Sequence, residues 1–366
     1  MLFIPLEYYT DFFYHATLVL VVYTFFFTQI NAGKELLTVA STKVIGGFLC
    51  IWVILYMGLR PISGCYFGDM AVYAHSFELQ KFRNYSFDVK GEWFFIWLEW
   101  FCAQSINKST YFLICASIYI IPLFIACKRW FGKFYYYGFI LCLGAYPFWA
   151  YGVNGIRNGM ATSLVILAFS FKDWKMLMVM ILLLAVGTHH STMLPIVAFF
   201  IGYLYRDTKI ILLSWLLSIP ISLIAGGAIE PIFAGLGFGD DRFAAYLTSE
   251  EFNSQFSSVG FRWDFLAFSA VPVYMGYHYI FQKGFVERFY IQFFNTYLIS
   301  NAFWVLVIRA SFSNRFAYLS WFMIPIVIIY PLLKKRIWPN QYSRIGLIIV
   351  LHFAFTYFMN YILENI

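Results

Sequence analysis

The stretch 108-KSTYFLICASIYIIPLFIACKRWFGK-133 has an apolar run from 110 to 127 and then a basic cluster. A helix needs about 20 apolar residues to cross a bilayer, and about 17 at the short end. The run therefore predicts a membrane-spanning helix, and the lysines and arginine after it are typical of a cytoplasmic end. The same combination of an apolar run and a short charged linker recurs along the chain.

The whole sequence indicates an all-α polytopic membrane protein. It is 62% hydrophobic and only 12% charged, which excludes an ordinary soluble globule. The net charge of +7 is spread over short clusters between apolar runs, so no nucleic-acid partner is expected. We predict one transmembrane domain over 1–366 with about 12 spans, near residues 12–30, 44–59, 110–127, 134–150, 158–171, 176–188, 193–205, 210–226, 263–282, 289–308, 316–333 and 342–360.

The charges of the linkers predict the orientation. If every span crosses, one side receives the basic linkers 128–133, 171–175, 205–209, 282–288 and 334–336, and by the positive-inside rule that side is cytoplasmic. The outer loops are then 60–109 and 227–262. The run 93–101 is apolar enough to cross, which would make Asp69 cytoplasmic. We predict an interfacial helix there instead, because the run is short, rich in Trp and contains Glu99.

The outer linkers contain candidate anion-binding and proton-accepting residues. The basic residues of the short outer linkers are Arg157, Arg309 and Arg315, and arginine can hold phosphate oxygens bidentately. Gly152, Gly155 and Gly159 leave the backbone around Arg157 free, and Arg157 lies beside a helix start suited to an anion. His189 and His190 lie between two short spans and can accept a proton or hold a phosphate. The alternatives are arginines that snorkel to headgroups and histidines bonded to backbone carbonyls.

Loop 60–109 contains five acidic residues, Asp69, Glu78, Asp88, Glu92 and Glu99. Asp69, Tyr73 and Phe77 are one helical turn apart and share a face. Asp69 is either a helix cap or a carboxylate that faces a sugar hydroxyl as base or binder.

Loop 227–262 is a candidate lid or carbohydrate surface, with the possible contacts Asp240, Asp241, Arg242, Tyr246 and Arg262, although most of it is expected to be a solvated face.

Four stretches together resemble motifs of the EpsG family of exopolysaccharide and O-antigen polymerases (Wzy-type). The resemblance covers most of the chain, and two positions depart from the pattern. His190 follows His189 and makes the active histidine ambiguous, and Trp93 stands where the family often has Pro or a small residue. The matching residues are Asp69, Tyr73 and Glu92 in GDMAVYAHSF and GEWFF, Arg157, Asn158 and Ala161 in GIRNGMA, His189 and Ser191 in THHST, and Arg315 and Tyr318 in NRFAYL.

The resemblance implies a GT-C-like fold with interfacial helices in a long first outer loop. It implies a glycosyltransferase that joins oligosaccharide repeat units carried on undecaprenyl pyrophosphate, with its active site facing the periplasm from the bacterial inner membrane. A chain-length regulator protein is a further candidate partner, and no metal or cofactor is expected. The alternatives are an O-antigen ligase-like transferase and a lipid-linked sugar transporter. The expected catalytic residues are Asp69 and His189, and the expected substrate-binding residues are Arg157, Arg309, Arg315, Tyr73, Glu92, His190, Ser191, Asn158 and Tyr318.

Overall fold

The computed structural model describes residues 4–32, 37–86, 88, 91–234, 260–310 and 313–362, and this part of the chain contains helices and no strand. An all-α fold is therefore confirmed for the described residues. The helices longer than one turn are α1 (Tyr9–Ile30), α2 (Leu37–Gly58), α3 (Met70–Gln80), α4 (Trp93–Ser105), α5 (Lys108–Phe131), α6 (Tyr135–Leu143), α7 (Phe148–Val153), α8 (Ile156–Ser170), α9 (Lys175–Thr188), α10 (Met193–Leu204), α11 (Thr208–Ala234), α12 (Trp263–Tyr277), α13 (Arg288–Leu306), α14 (Ser313–Trp321), α15 (Ile324–Lys334) and α16 (Gln341–Tyr357).

The chain divides into two compact units, a division that the prediction of one membrane bundle did not include. The first unit consists of Met1–His189 and Leu332–Ile366, and the second of His190–Pro331. The first contains α1 to α9 and α16, and the second contains α10 to α14 and most of α15. Each unit is described by its own contacts below.

Helix directions in the first unit define two opposite ends. Helices α5 and α8 run parallel, because Arg129 at the end of α5 donates to the carbonyl of Ser170 at the end of α8, 3.2 Å away. The 128–133 cluster therefore lies at the opposite end from Arg157, which is in the first turn of α8. The rings of Phe134 and Tyr342 are 5.8 Å apart, so the 334–336 cluster lies near the 128–133 cluster.

Helix α4 does not run the length of the first unit. Glu92, the residue before α4, contacts Arg157. The end of α4 is followed by the start of α5, which lies at the same end of the unit. A helix of 13 residues, as α4 is, covers only about 20 Å. The interfacial position of the helix over 93–101 stays a prediction.

Five helical stretches among the described residues are long and apolar enough to cross a membrane, so the chain is a helical membrane protein but twelve spans are not confirmed. The apolar helices α8, α9 and α10 are shorter, with 15, 14 and 12 residues. The long stretches are Leu6–Ile30, Lys108–Leu143, Thr208–Ala225, Arg315–Lys334 and Gln341–Tyr361.

Two predicted boundaries were wrong. The predicted span 134–150 is broken into α6 and α7, with Pro147 just before α7, where its missing N–H costs the helix nothing. Helix α11 continues to Ala234, so the outer loop predicted from 227 begins as helix. The remaining loop residues 235–259, which include Asp240, Asp241, Arg242 and Tyr246, lie outside the described residues.

The second unit is held together by a buried polar network centred on Asn301 of α13. The indole N–H of Trp215 donates to Asn301 Oδ1 at 2.8 Å. Asn301 Nδ2 donates to the hydroxyls of Ser320 at 2.9 Å and Ser269 at 3.2 Å. Such hydrogen bonds between helices stabilise bundles in which lipid removes most of the hydrophobic driving force. The network therefore links α11, α12, α13 and α14 within this unit.

Candidate active site

A cluster of four polar side chains lies at the end of the first unit where α8 begins. Tyr73 comes from α3, Glu92 from the residue before α4, Arg157 from the first turn of α8, and His189 from the residue after α9. Glu92 bridges two of them: Oε2 accepts from Arg157 Nη1, and Oε1 contacts His189 Nδ1. The side chains of Glu92 and His189 are only 12% and 15% exposed, so water screens these contacts weakly.

The guanidinium of Arg157 is held on three sides. Its Nε donates to the hydroxyl of Tyr73 at 3.3 Å, and its central carbon is 5.8 Å from the ring centres of both Tyr73 and Phe95. Its Nη2 makes no hydrogen bond with any described residue, and the side chain remains 28% exposed. The first N–H groups of α8 point toward the same end. Arg157 is therefore oriented and can still bind an anion.

The electrostatics of Glu92 favour its ionised form. Burial of the carboxyl would raise its pKa, but the hydrogen bonds and charges of His189 and Arg157 outweigh burial and hold the pKa below its ordinary value. An ionised Glu92 carboxylate can only accept, so in this hydrogen bond Nδ1–H of His189 donates to Oε1. Nε2 of His189 is then the ring nitrogen that does not face the carboxylate of Glu92.

Asp69 is attached by its backbone to the segment that precedes Arg157. Its N–H donates to Asn154 Oδ1 at 2.8 Å. Gly68 has φ of 53°, and a Cβ there would lie 2.5 Å from the same oxygen, so only glycine fits. The side chain of Asp69 does not cap α3, which contradicts the capping alternative, and it makes no hydrogen bond or ion pair with the described residues. A carboxylate of this kind is open to a substrate hydroxyl.

Close packing of α4 against α9 sets the position of Glu92. A Cβ on Gly187 would overlap the indole ring of Trp93, at 2.7 Å from its Nε1. Trp93 follows Glu92 directly, and Gly187 is two residues before His189. The large residue that departs from the family pattern is therefore accommodated by a glycine on the facing helix.

The glycines near Arg157 allow close packing of helices. The backbone freedom predicted for them is not what the structure uses. Gly152, Gly155 and Gly159 do not have the positive φ seen at Gly68. A Cβ on Gly159 would lie 2.7 Å from the carbonyl oxygen of Tyr151, and one on Gly152 would overlap the side chain of Met57. These glycines bring α7, α8 and α2 close together and so fix the first turn of α8.

The EpsG family model matches residues 43–366. The chain belongs to the EpsG family. No curated protein and no solved structure matches it significantly. Membership indicates a polysaccharide-related, glycosyltransferase-like membrane polymerase. In this EpsG-family protein, Tyr73, Glu92, Arg157 and His189 meet in one cluster, and they come from three of the stretches that resemble family motifs.

The other predicted residues have different locations in this EpsG-family protein. Asn158 follows Arg157 in α8 and is half-buried. Five predicted binding residues belong to the second unit, and their part in substrate binding stays a prediction. His190 and Ser191 form a short turn with Thr192, Arg309 is exposed and donates to the carbonyl of Leu223 at 3.1 Å, and α14 contains the exposed Arg315 and the buried Tyr318.

Proposed function

We propose that this protein polymerises undecaprenyl-pyrophosphate-linked oligosaccharide repeat units at the outer face of the bacterial inner membrane. The observation that supports this most is the bridge from Arg157 through Glu92 to His189. It combines a cation suited to a pyrophosphate with an oriented imidazole suited to a hydroxyl proton. Glycosyl transfer from a lipid pyrophosphate to a sugar needs both groups at one centre.

The donor is bound through its pyrophosphate in this proposal. Arg157 Nη2 and the first N–H groups of α8 hold the phosphate oxygens nearest the anomeric carbon. These donors stabilise the negative charge that grows on the leaving group as its bond to carbon breaks. The binding roles of Arg309 and Arg315 rest on their position in the predicted outer linkers, and that of Arg315 also on the family resemblance.

His189 acts as the general base for the acceptor sugar. The acceptor hydroxyl oxygen attacks the anomeric carbon, the carbon–oxygen bond to the pyrophosphate breaks, and its electron pair leaves with the lipid pyrophosphate. The hydroxyl proton passes to Nε2 of His189, and ionised Glu92 stabilises the resulting imidazolium. We assign Asp69 to binding a hydroxyl of the acceptor, because its carboxylate is not engaged by the described residues.

The test of the donor site is Arg157→Lys, followed by the polymer ladder on a gel at matched protein level. Lysine is a point charge that cannot reproduce the planar contacts with Tyr73 and phosphate, so we expect at least a tenfold loss of polymer. Arg206→Lys is the matched control, since Arg206 is exposed and donates only to the carbonyl of Tyr203 nearby. Full-length chains from Arg157→Lys would contradict the proposal.

The accumulated material distinguishes the alternatives. A polymerase variant accumulates single repeat units on their lipid carrier at the outer face. Long unattached chains would instead indicate a ligase-like transferase, and repeat units retained at the inner face would indicate a transporter.

The outer location of the site can be tested at Asp69. An Asp69→Cys variant should react with an impermeant thiol reagent in intact spheroplasts. Cys65 is exposed four residues away, so it must first be replaced by Ser. Labelling only after permeabilisation would contradict an outer site.

A further inference from the structure

A basic cavity lies at the end of the first unit opposite the Arg157 cluster. Its volume is about 220 Å³, and Lys133, Lys334, Lys335 and Arg336 line it. Among the residues that the structure describes, none that lines the cavity is acidic; the others are Ala32, Phe134, Leu332, Leu333, Pro339, Gln341 and Tyr342. We propose that this cavity binds the phosphate headgroup of an anionic phospholipid.

The segment that supplies three of these cations is held in a fixed conformation by one buried side chain. Gln341 is 8% exposed, and its Nε2 donates to the carbonyls of Leu332 and, at 2.9 Å, Lys335. Its Oε1 accepts from the N–H of Ile337 at 2.6 Å. Arg336 Nη2 donates to the carbonyl of Pro339 at 2.9 Å. A basic linker that served only to set membrane orientation would not need this order.

The size and charge of the cavity favour a lipid headgroup. Pockets that enclose whole drug-sized ligands measure about 300–1,000 Å³, so this cavity suits a headgroup whose acyl chains remain outside. The described lining residues contribute four positive charges and no carboxylate, an arrangement that attracts anionic lipid phosphate. The aromatic rings of Phe134 and Tyr342, 5.8 Å apart, lie beside the cations, as rings at a headgroup boundary do. The site is independent of the proposed polymerase reaction.

The test is lipid binding to the full-length protein in a neutral detergent, followed by native mass spectrometry and thermal unfolding. The probes are phosphatidylglycerol, phosphatidylethanolamine and sodium pyrophosphate. We expect phosphatidylglycerol to bind and to raise the melting temperature, and the other two to have little effect. Stabilisation by pyrophosphate without phosphatidylglycerol binding would overturn the proposal and assign the cavity to a soluble phosphate compound.

The variant Lys133→Gln/Lys335→Gln removes two of the cations and should weaken phosphatidylglycerol binding by about 30-fold. The matched control is Lys43→Gln/Lys175→Gln, which removes two exposed lysines that do not line the cavity. The charge-retaining Lys133→Arg/Lys335→Arg should bind nearly as the unaltered protein does, which separates loss of charge from misfolding. Equal weakening in the Gln pair and the control pair would show only general surface attraction and would overturn a defined site.

Discussion

Replacing Glu92 by Gln is the sharpest test of the bridged cluster, because the two side chains have nearly the same shape. The amide oxygen of Gln can still accept from Arg157. Its NH2 group would face His189 Nδ1 and could only donate to it, so the imidazole proton would move to Nε2. The nitrogen assigned as the base would then already hold a proton.

The expected loss of polymerisation rate follows from the interactions that Glu92→Gln removes. A positioned general base contributes about 10²–10⁴-fold to a rate. Each hydrogen bond to a charged group contributes about 1.5–3 kcal/mol, and the bond to Arg157 is weakened rather than lost. We therefore expect the polymerisation rate to fall at least about 100-fold, with only a modest change in thermal stability.

The assay is the in vitro rate of lipid-linked repeat consumption by purified protein, beside the polymer ladder in cells. Glu78→Gln is the matched control, since Glu78 pairs with Lys81 and Lys108 at the surface of α3. A Glu92→Gln rate within threefold of the unaltered protein would refute the assigned base. If His189→Asn lowers the polymerisation rate as much as Glu92→Gln does, and the double variant lowers it no further, then Glu92 and His189 act as one unit.

Three further predictions concern packing and pH. Gly187→Ala should lower the melting temperature and the activity together because its Cβ would displace Trp93, whereas Gly47→Ala, with open space around its Cβ, should change neither. Arg60→Met should lower stability by about 2–4 kcal/mol in chemical unfolding, because buried Arg60 donates to two backbone carbonyls at helix ends; an unchanged midpoint would contradict this. The folded-state pKa of Glu92 lies below its ordinary 4.5, so the stability from its pairs is complete above that pH and is lost as pH falls through the folded pKa. The difference in melting temperature between Glu92→Gln and the unaltered protein should therefore be constant above pH 5.5 or so and shrink below 4.5.

The sequence could predict the helices and most members of the cluster. Apolar runs identified the helical segments, and the stretches that resemble family motifs contain Glu92, Arg157 and His189. Pattern matching treats each residue separately, so it could not predict that Glu92 joins the other two. Nor could it choose between His189 and His190, whereas the structure places His189 Nδ1 against Glu92.

Other features depend on contacts between segments that are far apart in the chain. Asn154 belongs to the glycine-rich stretch before Arg157, but its bond to the Asp69 N–H joins residues 85 positions apart. Gly187 packs on Trp93, and nothing in the sequence around either residue predicts this contact except that position 187 is a glycine. Arg60 was not singled out, although an arginine at the end of an apolar run is detectable in sequence and is buried against Phe67 and Phe112. Proline and glycine at 144–147 did signal the break that the hydropathy pattern obscured.

The small extent of the cluster has a consequence for the product. Tyr73, Arg157, Glu92 and His189 form one short chain of contacts, so in the proposed reaction they would contact only the sugars and phosphates next to the bond being made. In that proposal, a centre of this size would add the tenth unit as readily as the second. Chains made by this protein alone should then follow a geometric length distribution, with each length less abundant than the one before. A preferred length would have to be imposed by another component.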